Sequence, residues 1–420
     1  MTDSGYHVTD VELRRFSVER YKGYARRAEV DLAPLTILVG PNNSGKTALA
    51  QAIQLLAGGL APPDGDAREP LPLKSGGLRH GETFEDLVTG RAVHRQLQLA
   101  ITLASEGGES SLSATVTNVL APGRAPERQI SFWRLHSGDR QVIAERQGFG
   151  EAAEYRVSAP GASPEPRPLV WRGLLPERPH ALAEWIAPQI DALKTWATGV
   201  RHLRCPRRLN ASGVLAPEHA PASIGSDGRD AVLALAADDA LLESVEDWYR
   251  RTFGVPIAFR AQGRYFDLGA GTLVGNTYVG IWQSGRGLSH VLPVVVTALT
   301  ARRAGSGIDI IEHPEAELHP ASHADIAELL LANLAGPARP LIVETHSEMI
   351  LLRARRWVAE GRLPAGHVLV YWVHTEPGRG STLEKIRIRE DGEMEKWPEG
   401  VFTENYEEVL AILRAARGKA

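Results

Sequence analysis

Eight consecutive residues carry the clearest chemistry in this chain. Gly40-Pro41-Asn42-Asn43-Ser44-Gly45-Lys46-Thr47 satisfies the pattern G-x-x-x-x-G-K-S/T. The glycines let the backbone curl until successive N–H groups, those of Asn42, Asn43, Ser44 and Gly45 among them, converge on phosphate oxygens. A helix opening at Lys46 adds its dipole to that anion site. Lys46 is placed to neutralise β- and γ-phosphates, and the Thr47 hydroxyl to ligate magnesium. The motif predicts a nucleotide-binding protein.

Such a loop needs an acidic partner for the metal at the end of a neighbouring strand. Ile308-Asp309-Ile310-Ile311-Glu312 supplies it, with Glu312 at the strand end and His313-Pro314-Glu315 after it. A second buried run, Leu341-Ile342-Val343-Glu344-Thr345-His346, ends in a histidine suited to sensing a γ-phosphate. Between the phosphate loop and Glu312 lies Ser284-Gly285-Arg286-Gly287-Leu288-Ser289-His290, ahead of an expected helix from His290 to Arg303. A Ser/Gly loop at a helix start is a second anion-binding device. It is expected to close, through Gly285, Gly287 and Ser289, over a nucleotide held by a second copy of the chain.

The elements that must position these residues follow from hydrophobic periodicity. Val8–Phe16 and Leu35–Val39 read as strands, and a helix from Lys46 ends at Gly58-Gly59. Residues 60–77 are rich in Pro and Gly and predict an exposed loop. From 96 to 158, Leu97, Leu99, Ile101 and Leu103, then Leu112, Ala114 and Val116, then Ile130 and Phe132 alternate, predicting an antiparallel sheet. Residues 159–168 read as an extended connector, 181–198 as a helix interrupted at Pro188, 201–229 as loop, and Ala231–Arg251 as a helix. Ile308–Ile311, a helix over 321–335, Leu341–Thr345, Val368–Val373, Leu383–Ile388 and a helix near 404–416 complete an α/β third. Neither a fixed repeat nor a sustained heptad is visible.

Composition narrows the classes. Among 420 residues, 43% are hydrophobic and 23% charged, as in ordinary globular proteins. A net charge of −4 argues against a chain that coats nucleic acid or acidic lipid by charge alone. One cysteine, Cys205, excludes an internal disulfide and fits a reducing compartment. The N-terminus lacks a signal-like core, and the longest apolar run, Val291–Ala301, is too short to span a bilayer. A cytoplasmic protein with no membrane partner is expected.

The order phosphate loop, signature, Walker B acid, switch histidine resembles the ATP-binding-cassette type of ATPase. More closely, the chain resembles bacterial stand-alone AAA/ABC ATPases of the OLD-like (overcoming lysogenization defect) group. It is similar to them in Gly40–Thr47, in Gly285–Pro293, in Ile311-Glu312-His313-Pro314-Glu315-Ala316-Glu317-Leu318-His319-Pro320, in Thr345-His346-Ser347-Glu348 and in the tail Trp397–Phe402. The segment Arg20-Tyr21-Lys22-Gly23-Tyr24 resembles their N-F-K-S-F, which implies that Lys22 joins the nucleotide-binding residues. The segment around Arg207 and Gly225–Gly228 is similar as well. The resemblance implies an α/β fold: an ABC-type head with a mixed sheet, an antiparallel β subdomain and a helical signature subdomain. The expected division is 1–90 and 306–420 as two parts of the ATPase lobe, 91–200 as a β-rich insert with linker and helix, and 201–305 as the signature lobe.

Two departures stand out. His313 occupies the place where cassette ATPases carry the glutamate that polarises water. Either hydrolysis is slow, or His313 orients the water while Glu315 or Glu317 acts as base. Only 74 residues follow His346, without a convincing set of metal-binding carboxylates. Related OLD nucleases continue there into a Toprim domain, so this chain is not expected to cut DNA by itself. The resemblance implies a dimeric, ATP- and magnesium-dependent switch, the ATPase of an anti-phage defence system with a nuclease or toxin as effector. The alternative is a RecF- or chromosome-maintenance-like ATPase. There Arg201, Arg204, Arg207 and Arg208, with Arg353, Arg355 and Arg356, would contact DNA phosphates. A transporter motor is disfavoured by the N-terminal strand and C-terminal tail, and a GTPase by the lack of an N-K-x-D segment.

Overall fold

The computed structural model describes residues 11–62, 69–92, 95–119, 127–148, 154–209, 214–215, 223–263, 265–271, 277–300, 305–334 and 339–397, with 408, 411, 412 and 414. The helix expected near 404–416 and most of the Trp397–Phe402 tail lie outside the described residues.

A six-stranded sheet runs in the order Arg201–Leu203, Asp309–Glu312, Leu341–Glu344, Leu35–Val39, Val368–Glu376, Gly380–Arg387. The first five strands are parallel and the last closes an antiparallel hairpin. Leu35–Val39, Asp309–Glu312 and Leu341–Glu344 are buried at every position, as parallel strands covered on both faces must be. Successive side chains leave a strand on opposite faces. Leu38, Ile310, Ile342 and Tyr371 therefore pack toward the helix Lys46–Leu60 and a second sheet. Ile37, Val39, Ile311, Val343 and Val370 face the helices Asp239–Phe253, Arg286–Thr300, His323–Leu334 and Glu348–Ala359.

The second sheet is antiparallel and has eight strands. Its order is Glu165–Pro168, Glu154–Ser158, Arg140–Gln147, Glu127–Ser137, Gly108–Val119, Gln96–Ser105, Glu12–Glu19, Ala28–Asp31. The first strand of the chain thus pairs with Gln96–Ser105, and the sheet crosses the division expected at residue 90. Leu97, Leu99, Ile101 and Leu103 are all buried, as their alternation predicts. The alternation of Ile130 with Phe132 fails: a register shift opposite Thr115/Val116 leaves Ser131 as an extra residue, and Trp133 is buried in place of Phe132.

Other expectations are corrected by packing. The helix from Lys46 runs through Gly58-Gly59 to Leu60. A Cβ at Gly58 would lie 2.4 Å from Ser75 Cβ, and one at Gly59 2.8 Å from the Pro70 carbonyl. These glycines permit close approach rather than termination. Within 60–77, Leu71 is fully buried and Lys74–Ser75 begins a short hairpin. Glu165–Pro168, read as connector, is an edge strand, where proline is tolerated. Pro188 sits in the first turn of the helix Ala187–Thr198, where it starts the helix instead of interrupting it. Arg201–Leu203, read as loop, is a strand of the central sheet. The 231–251 helix divides into Ala231–Ala236 and Asp239–Phe253 at Asp238, whose carboxylate accepts from Leu241 N. A small antiparallel sheet of Ile257–Gln262, Tyr265–Gly271 and Tyr278–Gly280 and the helix Glu348–Ala359 carry no sequence forecast. No described helix is long and apolar enough to cross a membrane.

Candidate nucleotide site

The buried strand Leu35–Val39 ends at Gly40, whose φ of 151° is accessible to glycine and whose added Cβ would stand 2.0 Å from the Val373 carbonyl oxygen. Asn43 (φ 61°) and Gly45 (φ 109°) continue the curl, and the helix starts at Lys46. Tyr24 donates its hydroxyl to the Gly45 carbonyl at 3.0 Å, and Ser381 packs against Gly23 and Gly45. The loop is therefore clamped between the Tyr21–Tyr24 turn and the C-terminal hairpin of the central sheet.

Within the loop, Lys46 Nζ donates to the Gly40 and Pro41 carbonyls at 3.0 and 2.8 Å. Burial pushes its pKa down, with the Glu344 charge opposing. Asn42 and Asn43 are exposed at the loop tip, and Ser44 is buried with an Oγ that has no protein partner. Lys22, from the Tyr21–Tyr24 turn, reaches the helix about one turn beyond Lys46, donating to Gln51 Oε1 at 3.1 Å, and burial lowers its pKa too.

The four expected catalytic side chains come together across two strand ends. Glu312 is buried, accepting from His202 Nε2 at 2.8 Å and from Cys205 N at 3.0 Å. His313 follows with a left-handed φ of 43°, an unusual conformation for a side-chain-bearing residue. Its backbone N–H donates to the Glu344 carbonyl at 2.7 Å, and its ring stacks on His346 at 5.1 Å with 7° between planes. His313 Nε2 lies 3.6 Å from Glu344 and Nδ1 3.9 Å from Glu315. Burial works against a charged His313 ring, but the carboxylates of Glu315, Glu344 and Glu312 outweigh it and raise its pKa. His346, exposed on one side, moves the other way, lowered by partial desolvation of its ring and by the charges of Lys46 and His313. Glu315 accepts from Thr345 Oγ1 and His346 N, both at 2.8 Å, which fixes the switch segment to the Walker B loop. Glu317, weighed as a base, is also left-handed (φ 65°) and supports the signature helix instead.

That helix begins at Arg286, four residues before the expected start at His290, so Gly287 and Ser289 belong to its first turn. Ser289 Oγ donates to the Arg286 carbonyl at 3.0 Å, and Arg286 lies 3.9 Å from Glu317. A Cβ at Gly287 would meet the Glu317 carbonyl at 2.7 Å, whereas one at Gly285 would meet nothing within 4 Å. Among the described residues, no hydrogen bond or ion pair joins Gly285, Gly287 or Ser289 to the phosphate loop of the same chain.

Three participants escaped the sequence reading. Thr47 Oγ1 donates to Glu344 Oε1 at 2.6 Å, so the carboxylate against the hydroxyl expected to ligate magnesium is Glu344 rather than Glu312. A carboxylate closing an otherwise apolar strand beside the switch histidine was the available signal. His202 holds Glu312 from the next strand out. Arg207, assigned to a phosphate-contacting face, is instead buried, donating to the carbonyls of Glu312 and His313, and burial lowers its pKa to about 10. Its companions do not form one free basic face either. Arg201 pairs with Asp309, Arg353 with Glu328, Arg355 with Glu393 and Arg356 with Glu360.

The AAA ATPase domain family matches residues 12–64. Among solved structures, the Smc head bound to the C-winged helix domain of ScpA superposes with a TM-score of 0.50 at 11% identity, covering 90% of this chain and 98% of that one. The SMC head domain from Thermotoga maritima gives 0.41 at 11% identity over 89% and 98% of the two chains. The Pyrococcus furiosus Smc head with an extended coiled coil, bound to the C-terminal domain of ScpA, gives 0.45 at 9% identity over 97% and 100%. No curated protein matches the sequence. The fold is thus similar to that of an Smc head, with the phosphate loop inside the stretch that matches the AAA ATPase domain family.

Proposed function

We propose that this chain binds ATP with magnesium and hydrolyses it, and that nucleotide drives the pairing of two copies. The observation that carries this reading is the phosphate loop itself: left-handed at Gly40, Asn43 and Gly45, opening a helix at Lys46, with Thr47 on a buried carboxylate. The residues fit the ligand, since Ser44 Oγ and Glu344 Oε2 are buried polar atoms without protein partners. Asn42 to Thr47 would hold the phosphates, with Lys46 as their counter-charge and Lys22 at the margin. Thr47 with Glu344, the carboxylate against its hydroxyl, would hold the cation, which when bound neutralises charge on the β- and γ-oxygens.

His346 is the exposed ring nearest this cluster and would contact the γ-phosphate. His313, oriented by its stack on His346 and by Glu315 and Glu344, would direct the attacking water. Glu315 would serve as the base or hold His313 in place. Gly285, Gly287 and Ser289 would complete the site of the partner copy. The resemblance to OLD-like ATPases supports a role in anti-phage defence, with an effector nuclease or toxin as partner. The Smc head bound to a domain of ScpA offers a parallel for a protein docked on such a head. The DNA-repair reading is weakened because its arginines, apart from the exposed Arg208, are paired or buried.

The test is phosphate release from Mg-ATP, with and without double-stranded DNA. Turnover abolished by Lys46→Ala supports an ATPase, and stimulation by DNA would favour the repair reading. Absence of ATP binding by the wild-type protein would sink the proposal.

A further inference from the structure

Two carboxylates close adjacent strands of the central sheet at the same register. Glu312 of Asp309–Glu312 pairs with Glu344 of Leu341–Glu344, and Glu344 in turn pairs with Leu38 of the phosphate-loop strand. In-register neighbours in a parallel sheet point to the same face, about 4.8 Å apart per strand. Both acids therefore face the phosphate loop, but Glu344 stands one strand nearer to it.

Their hydrogen bonds divide the roles further. Both oxygens of Glu312 are engaged by protein donors: Oε1 by His202 Nε2 and Oε2 by the Cys205 N–H. Its side chain is thereby drawn toward Arg201–Leu203, away from the loop. Glu344 spends Oε1 on the Thr47 hydroxyl, while Oε2 is buried and bonded to no protein group. With the residue 1% exposed, an unpartnered carboxylate oxygen is expensive unless a ligand completes it. The nearest groups reinforce the placement, with His313 Nε2 at 3.6 Å and Lys46 in the same charge cluster.

We infer that Glu344, at the end of the strand beside the phosphate loop, is the metal-facing carboxylate of this site, and that Glu312 is a positioning residue for the Walker B loop. The inference rests on the ATP-binding reading above and deepens it. It also places a carboxylate from the neighbouring strand next to His313, the residue that stands where the usual water-polarising glutamate is missing.

The experiment compares ATP affinity in magnesium and in EDTA, by calorimetric titration, for wild type, Glu344→Gln, Glu312→Gln and Lys46→Ala. Thermal unfolding checks that each variant folds, and Glu344→Asp replaces Glu344→Gln if the latter does not. The magnesium-dependent gain in affinity is expected to fall about 10- to 100-fold in Glu344→Gln and to persist in Glu312→Gln. Any other pattern, whether loss only in Glu312→Gln, equal loss in both or loss in neither, overturns the assignment. If wild type binds no ATP, or Lys46→Ala binds as well as wild type, the underlying ATP-binding reading fails instead.

Discussion

Replacing Asp309 with Asn is expected to destabilise the protein by about 3–5 kcal/mol without weakening nucleotide binding. Asp309 opens the strand whose far end is Glu312, and it is 1% exposed. Its Oδ1 accepts from Arg201 Nε at 2.7 Å and from Arg339 Nε at 3.1 Å, and its Oδ2 from Arg201 Nη2 at 2.5 Å. One carboxylate thus balances two guanidinium groups, and Arg339 is itself buried. At an effective dielectric of about 20, each unit-charge pair roughly 4 Å apart gains about 4 kcal/mol. Desolvation of the ions offsets several kcal/mol of that sum, which is why the net contribution is smaller than the gross attraction. Asn preserves the shape and one acceptor, but it strands two cations at a strand that can no longer neutralise them. The remaining Arg339 donors, on the carbonyls of Gly199, Gly305 and Ser306, cannot compensate for charge. Thermal unfolding followed by circular dichroism should show a Tm lower by roughly 3–6 °C. ATP affinity measured well below that transition should match wild type, because Asp309 makes no hydrogen bond or ion pair to the site. A Tm within about 2 °C of wild type would refute the charge argument. Lost ATP affinity in protein that is demonstrably folded would refute the separation of anchor from site.

Gly40→Ala should weaken ATP binding at least about tenfold, since its Cβ would overlap the Val373 carbonyl and the loop must move; unchanged affinity would contradict the clamped geometry. A Cβ at Gly285 meets nothing of its own chain within 4 Å, so Gly285→Trp should leave ATP binding intact while blocking ATP-dependent dimerisation in analytical ultracentrifugation. Dimerisation unaffected by that change would remove the signature from the interface. Asp227 is held below the ordinary carboxylate range chiefly by the hydrogen bond from Arg229. Its stabilising contribution is present above about pH 4 and is lost as pH falls through the depressed folded value. Asp227→Asn should therefore lower stability near neutrality and flatten its decline in acid, read from urea midpoints across pH. Gly58→Ala should lower stability despite the better helix propensity of Ala, because Ser75 Cβ stands 2.4 Å from the new methyl; a raised Tm would contradict the packing.

The phosphate loop was readable in the sequence because all of its determinants are local. A buried strand, two glycines, a lysine and a threonine lie within thirteen residues, and each acts through its own backbone neighbourhood. The alternation of Leu97 to Leu103 was readable for the same reason, as a period of two along one strand. Where an extra residue entered, at Ser131, the simple period exchanged Phe132 for Trp133. Glycine was ambiguous in one dimension: Gly58-Gly59 looks like a helix end until Ser75 and Pro70 are seen pressed against it.

Other assignments required the tertiary structure because they depend on which distant segments become neighbours. The contact between Thr47 and Glu344 joins residues 297 apart, and nothing local separates Glu344 from Glu312 as the acid facing that hydroxyl. Only the strand order places Leu341–Glu344 between the phosphate-loop strand and the Walker B strand. The same order lets His202, read as loop, draw Glu312 outward, and buries Arg207 behind the Walker B backbone. By itself the sequence determined the chemistry of the loop, because backbone conformation and residue type act over a few positions. The tertiary structure decided which carboxylate serves that loop, because hydrogen bonds are short and the partner is chosen by the order in which the sheet assembles.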